Sequence, residues 1–483
     1  MVFVSTTTAS APSDQSSSAP LDPALVKLAL AVAVGCVAAI LDLTIVNVAI
    51  DTLQHRLHTN VATIGWVITG YALAVAMTMP VSGWAFQRFG ARRSWMISLT
   101  AFVAGSALCG VAWSTGSLIA FRVFQGNGGG MLLPLAQTIL VHAAGRERLA
   151  RIVPFIAIPS QIGPVLGPVF GGLILSHASW RWIIYVNVPI VLVAVVLAWR
   201  TVPDTEIRKD SRLDIRGLAL LSPALALLVY GLSEAGVTGG FDHTRVTVPL
   251  AAGVAILLGY GVHALRSRVE PVLNLRFLRF RGYAASSAMM FLSGLTLFGA
   301  LFLVPLYYQQ VRGASALQAG LLLAPQGAGM AIGALGSGRL VDKMGINLRL
   351  VALAGMVLLT AATVPYLLAT AHTSEALLGT VLVVRGAGLG LAIVPMTTAA
   401  YIGLPRSAIP SATTGVRIYL QVGGALGTAI LAVILQHAIS AAASPDGMAR
   451  AFDATFAWVL ALTALSFVPA LLLPGHHHDA EAV

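Results

Sequence analysis

Apolar stretches of about 20 residues follow one another along almost the whole chain, separated by short polar turns rich in arginine and glycine. A helix needs about 20 such residues to cross roughly 30 Å of hydrocarbon. The pattern predicts fourteen spans, near 25–49, 62–84, 94–113, 117–141, 152–175, 182–200, 214–234, 245–264, 284–308, 317–338, 349–369, 376–400, 409–436 and 452–473. The expected fold class is therefore an all-α integral membrane protein.

The polar turns repeat. Gly83-Trp-Ala-Phe-Gln-Arg-Phe-Gly-Ala-Arg-Arg93 joins spans two and three, and a degenerate copy, Gly338-Arg-Leu-Val-Asp-Lys-Met-Gly345, joins spans ten and eleven. Gly83 and Gly338 lie 255 residues apart, as do Gly90 and Gly345. Arg122 finds an echo at Arg385, 263 residues on, and Gly163 and Gly167 correspond to Gly423 and Gly427, 260 residues on. Near-constant offsets indicate duplication of a six-span unit. The reading is two pseudo-symmetric six-helix bundles, 23–201 and 283–474. A transmembrane hairpin with basic-face linkers, 202–282, is inserted between them, and tails run over 1–22 and 475–483. Paired halves of this kind place a substrate path at their interface.

Composition agrees. The chain is 57% hydrophobic and 10% charged, too apolar to wet the surface of a soluble globule. Its net charge of +11 raises the question of nucleic acid, and distribution answers it. Of 29 Lys and Arg residues, 21 fall in the turns and tails of one face and five in those of the other. That bias is a topology signal, placing both termini in the cytoplasm and giving no reason to expect nucleic acid. Residues 1–22, rich in Ser, Thr, Ala and Pro, are expected to be a disordered tail. Cys36 and Cys109 fall inside spans and read as packing residues. The His476–His478 tract has nothing beside it to complete a ligand set, so no metal is expected.

Asp42 is the only acid well inside a span, whereas Asp51, Glu234, Glu375 and Asp453 sit at span ends. A carboxylate at membrane depth is costly when charged, so it is a candidate to take up and release a proton; a permanently hydrogen-bonded structural acid is the alternative. Arg122 lies at a similar depth, which makes a pair with Asp42 feasible, either static or moving between states. The mechanism requires that carboxylate inside the pocket between the halves. Gly163, Gly167, Gly171 and Gly172, with Pro164 and Pro168, give span five a small-residue face. It suits either a bendable seam between halves or ordinary close packing. Arg88, Arg92 and Arg93, in the turn with Gly83 and Gly90, and Lys343, in the second copy, are candidate clamps across a cytoplasmic gate. Cavity candidates are Asn47, Trp66, Tyr71, Gln161, Tyr307, Tyr308, Gln326, Met396, Tyr419 and Arg417, offering aromatic, thioether and polar faces to an amphipathic guest. Tyr307 equally suits an interfacial aromatic belt, as Trp66 does. Arg385, inside span twelve, should face the cavity, a partner or a carbonyl. With three lysines and no Gly-x4-Gly-Lys-[Ser/Thr] loop there is no sign of nucleotide-driven transport, and no nucleophile elbow suggests an enzyme.

In order along the chain, Leu41-Asp-Leu-Thr-Ile-Val-Asn-Val-Ala49, Trp66-Val-Ile-Thr-Gly-Tyr71, the basic turn, Gly163-Pro-Val-Leu-Gly-Pro-Val-Phe-Gly-Gly172, Trp180-Arg-Trp-Ile-Ile-Tyr-Val-Asn-Val-Pro189 and Ala451-Phe-Asp-Ala-Thr-Phe456 resemble the fourteen-span drug:proton antiporters of the major facilitator superfamily. The resemblance runs from about residue 25 to 473. It implies export of hydrophobic, often cationic, compounds driven by a proton gradient, with no cofactor, from a monomer in the cell membrane. It also implies a coupling role for Arg122, since the family has an arginine there. Three departures stand out: Gln87 where an aspartate is usual although Asp342 keeps it, Asp51 where a proline is common, and Leu420 where an arginine is usual, with Arg417 one turn earlier. An exporter of lipids or cell-envelope metabolites with the same fold is the alternative function, and a non-transporting receptor a third.

Overall fold

The computed structural model describes residues 22–475, apart from 60, 146–147, 149–151, 153, 156–166, 168–169, 176, 209–211, 239, 268, 270, 343, 371 and 441–444, and the described residues contain no strand. In chain order the α-helices are α1 (Pro23–Arg56), α2 (Val61–Thr78), α3 (Val81–Phe89), α4 (Ala91–Gly110), α5 (Thr115–Ala144), α6 (Arg181–Tyr185), α7 (Asn187–Thr201), α8 (Ile215–Thr238) and α9 (Thr244–Arg266). They continue with α10 (Arg281–Gln310), α11 (Ala316–Leu322), α12 (Ala324–Asp342), α13 (Leu348–Thr363), α14 (Glu375–Ala399), α15 (Ile409–Ser440), α16 (Pro445–Leu465) and α17 (Phe467–Leu471). Among the described residues ten helical stretches are long and apolar enough to cross a membrane, or eleven if a bent pair counts as one span.

Polar residues at the edges of the apolar runs fix the helix starts. Asp22 accepts from the Ala24 N–H at 2.9 Å, and Pro23 sits in the first turn, where its missing N–H is no loss. Ser114 and Ser117 form a reciprocal capping box on α5. The second predicted span breaks at Pro80: α2 and α3 meet at 53°. Gly90 then ends α3 at φ +81°, ψ 170°, a conformation that only glycine adopts without strain.

Water does not drive helices together inside a membrane, so packing has to, and small residues permit it. Side chains at Gly126 and Gly130 of α5 would collide with the Tyr71 and Val75 carbonyls of α2. At Gly386 and Gly390 of α14 the obstacles are the Gln326 and Met330 carbonyls of α12. The glycines are 260 residues apart and their partners 255, so the same helix crossing occurs twice. This register corrects one expectation. It places Gln125, not Arg122, in correspondence with Arg385, because the glycines set how the helices meet and the arginines stand three residues out of step.

Two groups of helices result, α1, α2, α4, α5 and α7 on one side and α10, α12, α13, α14, α15 and α16 on the other. The α8–α9 hairpin lies between them laterally, with α8 against both α2 and α15. α9 is the most outward of the long helices, only 17% of its apolar window being buried.

Candidate functional site

Asp42, on α1, is completely buried. Its Oδ2 accepts a hydrogen bond from Arg122 Nη1 at 2.6 Å, and its Oδ1 accepts from Asn187 Nδ2 at 2.7 Å and Gln125 Nε2 at 3.1 Å. Arg122 is buried as well. Its Nη1 also donates to Gln125 Oε1 at 2.8 Å and its Nε to the Val67 carbonyl at 3.2 Å, while its guanidinium carbon lies 4.1 Å from the Tyr71 ring centroid. Gln125 Nε2 further donates to Ser106 Oγ at 2.7 Å, and Cys109 Sγ approaches Gln125 Oε1 at 3.7 Å. Helices α1, α2, α4, α5 and α7 thus all feed one network. Desolvating an ion pair is expensive, and charge-assisted hydrogen bonds to the leftover lone pairs offset that cost here.

A carboxylate has only acceptors, so the Asn187 amide nitrogen must face it, and the amide is oriented accordingly. Its Oδ1 is left buried without a partner. Once Asp42 carries a proton it needs an acceptor, and an amide flip would supply one. The expectation of a carboxylate inside the pocket between the halves fails here, and with it a mechanism in which Asp42 meets that pocket directly: Asp42 is sealed within the first helix group, enclosed by a cation, two amides and a stacked tyrosine of that group, so a coupling role for it has to act through the packing of that group.

The second group has no equivalent acid. Gly167 abuts Thr44 and Gly427 abuts Leu295, a correspondence that puts Ser293 where the first group has Asp42. Ser293 Oγ approaches Met396 Sδ at 3.5 Å. Arg385 is buried and donates from Nη1 to Gln326 Oε1 at 2.9 Å, and among the described residues no carboxylate lies within ion-pair distance of it.

The face carrying the basic turns is closed between the groups. Ser82 and Thr414 hydroxyls meet at 3.0 Å, and a Cβ on Gly83 would stand 3.2 Å from Thr414 Oγ1 and 3.3 Å from the Pro410 carbonyl. Gln137 Nε2 donates to the Tyr401 hydroxyl at 3.0 Å, and Arg417 Nε donates to Gln137 Oε1 at 2.7 Å. Tyr401 lies in the turn beyond α14, and burial pushes its phenol up to about 12, so it meets these partners uncharged.

Arg92 of the first basic turn does not clamp across this closure as expected. Arg92 donates from Nε to the Val202 carbonyl at the end of α7 and pairs with Asp204 at 2.8 Å. The Ala91 N–H donates to Thr205 Oγ1 and the Arg208 N–H to the Gln87 carbonyl, both at 2.9 Å. The turn is therefore bolted to the linker of its own group, where α7 presents its negative dipole end. Gln87 is buried and Arg88 half-buried. The side chain of Asp342, and Lys343 entirely, lie outside the described residues.

Of the remaining candidates, Gln161, Gly163, Pro164, Pro168 and the side chain of Asn47 also lie outside them. Gly167 packs on α1 of its own group, as in ordinary close packing, and Gly172 faces open space. Gly171 is buried. Tyr71 is buried and is the ring under Arg122. Tyr307 does not join a surface belt: it is buried among Tyr366, Phe452 and Phe456, its hydroxyl donating to the Thr370 carbonyl at 2.8 Å. Met396 is core packing. Trp66 stacks on Tyr230 of α8. Gln326 and Arg417 meet the partners given above. Sequence reasoning passed over Gln125, Ser106 and Asn187 as site residues, although Asn187 stands within one of the quoted motifs.

A family model, the Major Facilitator Superfamily, matches residues 32–428. A Mycobacterium tuberculosis protein named "Multidrug resistance protein B homolog" is 36% identical over 86% of this chain and 77% of its own length. The "Tetracenomycin C resistance and export protein" of Streptomyces glaucescens is 33% identical over 84% of this chain and 75% of its own. Among solved structures, that of the human organic anion transporter MFSD10 superposes with a TM-score of 0.62 over 93% of this chain and all of its own, at 17% identity, a likeness of fold alone.

Proposed function

The chain belongs to the major facilitator superfamily, and on that premise we propose that it exports hydrophobic and amphipathic, often cationic, drugs in exchange for protons by alternating access. The relatives named for multidrug resistance and for tetracenomycin C resistance and export support the substrate class. The observation that carries the coupling is the sealed Asp42–Arg122 pair, the one buried ion pair of its kind among the described residues.

Its two protonation states favour different arrangements. The charged acid holds Arg122, Gln125 and Asn187 and so draws α1, α5 and α7 together. A proton on Asp42 removes the counter-charge of Arg122, whose guanidinium then turns to other acceptors and loosens the group. A ligand shifts such an equilibrium only by its differential affinity, and here the proton is that ligand. Asp42 exchanges its proton in a state where this network opens, while the Ser82–Thr414 and Gln137–Tyr401 contacts part to release the pathway on the basic face.

The finer architecture belongs to the same reading. We read the eleven spans, α4, α5 and the apolar run of the sequence near 152–175 as fourteen spans, arranged as two six-helix bundles with the α8–α9 hairpin inserted. The basic face is cytoplasmic, with both termini there, in a cell membrane. No cofactor is needed beyond the proton gradient, and the working unit is a monomer.

The test is transport of cationic dyes by proteoliposomes with and without an imposed pH gradient. Gradient-driven transport lost in Asp42→Asn, with folding intact, is the expected result. Normal coupled transport by that variant removes Asp42 from the mechanism, and transport of lipid precursors in place of dyes replaces the substrate class.

A further inference from the structure

The base of the α8–α9 hairpin holds a cleft of about 630 Å³ whose walls include Asp214, Ile215, Arg216, Val262, His263 and Arg266. It is a constructed feature. Asp214 caps α8, its Oδ1 accepting from the Gly217 N–H at 2.9 Å, and both its oxygens face His263 Nε2, at 2.8 and 3.0 Å. That bridge ties the start of α8 to the end of α9 and commits the one carboxylate among these residues to partners already present.

Arg216 and Arg266 are exposed, and among the described residues neither has an acidic partner. The positive end of the 24-residue helix α8 is already met by the Asp214 carboxylate, so the attraction rests on the two arginines. The end of α9 ought to repel an anion, but Arg276 Nη2 donates to the Leu265 and Ser267 carbonyls at 3.0 and 2.9 Å and covers them. The cleft therefore has a net attraction for negative charge.

Its outer wall is apolar. Ile215 is 70% exposed, and an outward ridge of Val262, Leu258 and Val254 continues along α9 toward the opposite face. In a bilayer that ridge lies against acyl chains. A phosphate held at one end with hydrocarbon running down from it is the shape of a phospholipid.

We propose that this cleft binds the headgroup phosphate of an anionic phospholipid, with Arg216 and Arg266 as its donors and the α9 ridge as the seat of an acyl chain. A soluble phosphate shares the headgroup chemistry but leaves the ridge unused, which favours the lipid. The site stands apart from Asp42 and does not depend on the transport reading.

Delipidated full-length protein in neutral detergent, titrated with dioleoyl phosphatidylglycerol and followed by native mass spectrometry, tests it. Phosphatidylglycerol is expected to be retained over dioleoyl phosphatidylcholine, and the double variant Arg216→Gln/Arg266→Gln to bind it roughly tenfold more weakly. The matching double substitution to lysine keeps the charge and is expected to keep most of the affinity, which separates loss of the site from loss of the fold. Arg279, whose guanidinium lies over the Phe280 ring, is the control: Arg279→Gln removes one positive charge near the same face, half the change of the double variant, and is expected to have no effect. Equal loss in Arg279→Gln, unaltered binding by the double glutamine variant, equal retention of phosphatidylcholine, or full competition by sn-glycerol 3-phosphate would each overturn the proposal.

Discussion

Asn187 reaches the same oxygen of Asp42 that Gln125 reaches, though the two amides come from α7 and α5 and stand 62 residues apart. Two amides and a guanidinium around one carboxylate make a site that holds charge firmly yet has an unused amide oxygen ready for a proton.

Asn187→Ala should therefore lower stability by about 2 kcal/mol, the scale of a hydrogen bond to a charged group. Gradient-driven efflux should fall roughly tenfold, since about 1.4 kcal/mol on a rate-limiting step is a factor of ten. Dye efflux from proteoliposomes and thermal unfolding in detergent report the two effects. Wild-type efflux in this variant would show that the amide is scaffolding only.

Arg122→Gln leaves Asp42 buried without its cation, and loss of about 3–5 kcal/mol is expected. Adding Asp42→Asn should restore most of that stability, because the double variant buries amides in place of an orphaned charge. Chemical denaturation of the four proteins gives the coupling. Strict additivity would mean the two side chains do not interact energetically, contrary to their 2.6 Å contact.

The hydroxyls of Ser82 and Thr414, 3.0 Å apart, offer a lock. Cysteines at both positions should form a disulfide under oxidation, hold the basic face closed and stop turnover, with recovery on reduction. Gel mobility reports the crosslink and dye efflux the activity. Undiminished efflux in fully crosslinked protein would mean that this face need not open.

Gly90→Ala places a side chain at φ +81° and within 3.3 Å of the Thr205 carbonyl. A loss of about 1–3 kcal/mol is expected from the backbone alone. Unfolding midpoints compared with Gly172→Ala, which meets open space, isolate that strain. Equal midpoints would remove the turn from the account.

Much of the scaffold could be read from the chain because hydrophobic length and glycine spacing are local signals. The 255-residue repeat of the basic turn reappears in space as Tyr71 and Gln326 beneath equivalent glycines. Asp42 and Arg122 were legible because an acid and a cation at equal depth in apolar helices have few other choices. Asn187, 145 residues from Asp42, gives no such signal: an amide near a helix start looks like any other. Tyr307 and Met396 misled for the opposite reason, since rings and thioethers serve a core as readily as a cavity. Arg92 shows a third limit. Its partners, Val202 and Asp204, lie in a linker whose course no periodicity reveals.

The position of α8 has a further consequence. Wedged against α2 and α15 together, it covers one lateral seam between the two helix groups. Any movement of one group against the other must carry this helix along or slide past it, so the inserted hairpin couples to both halves although it belongs to neither repeat.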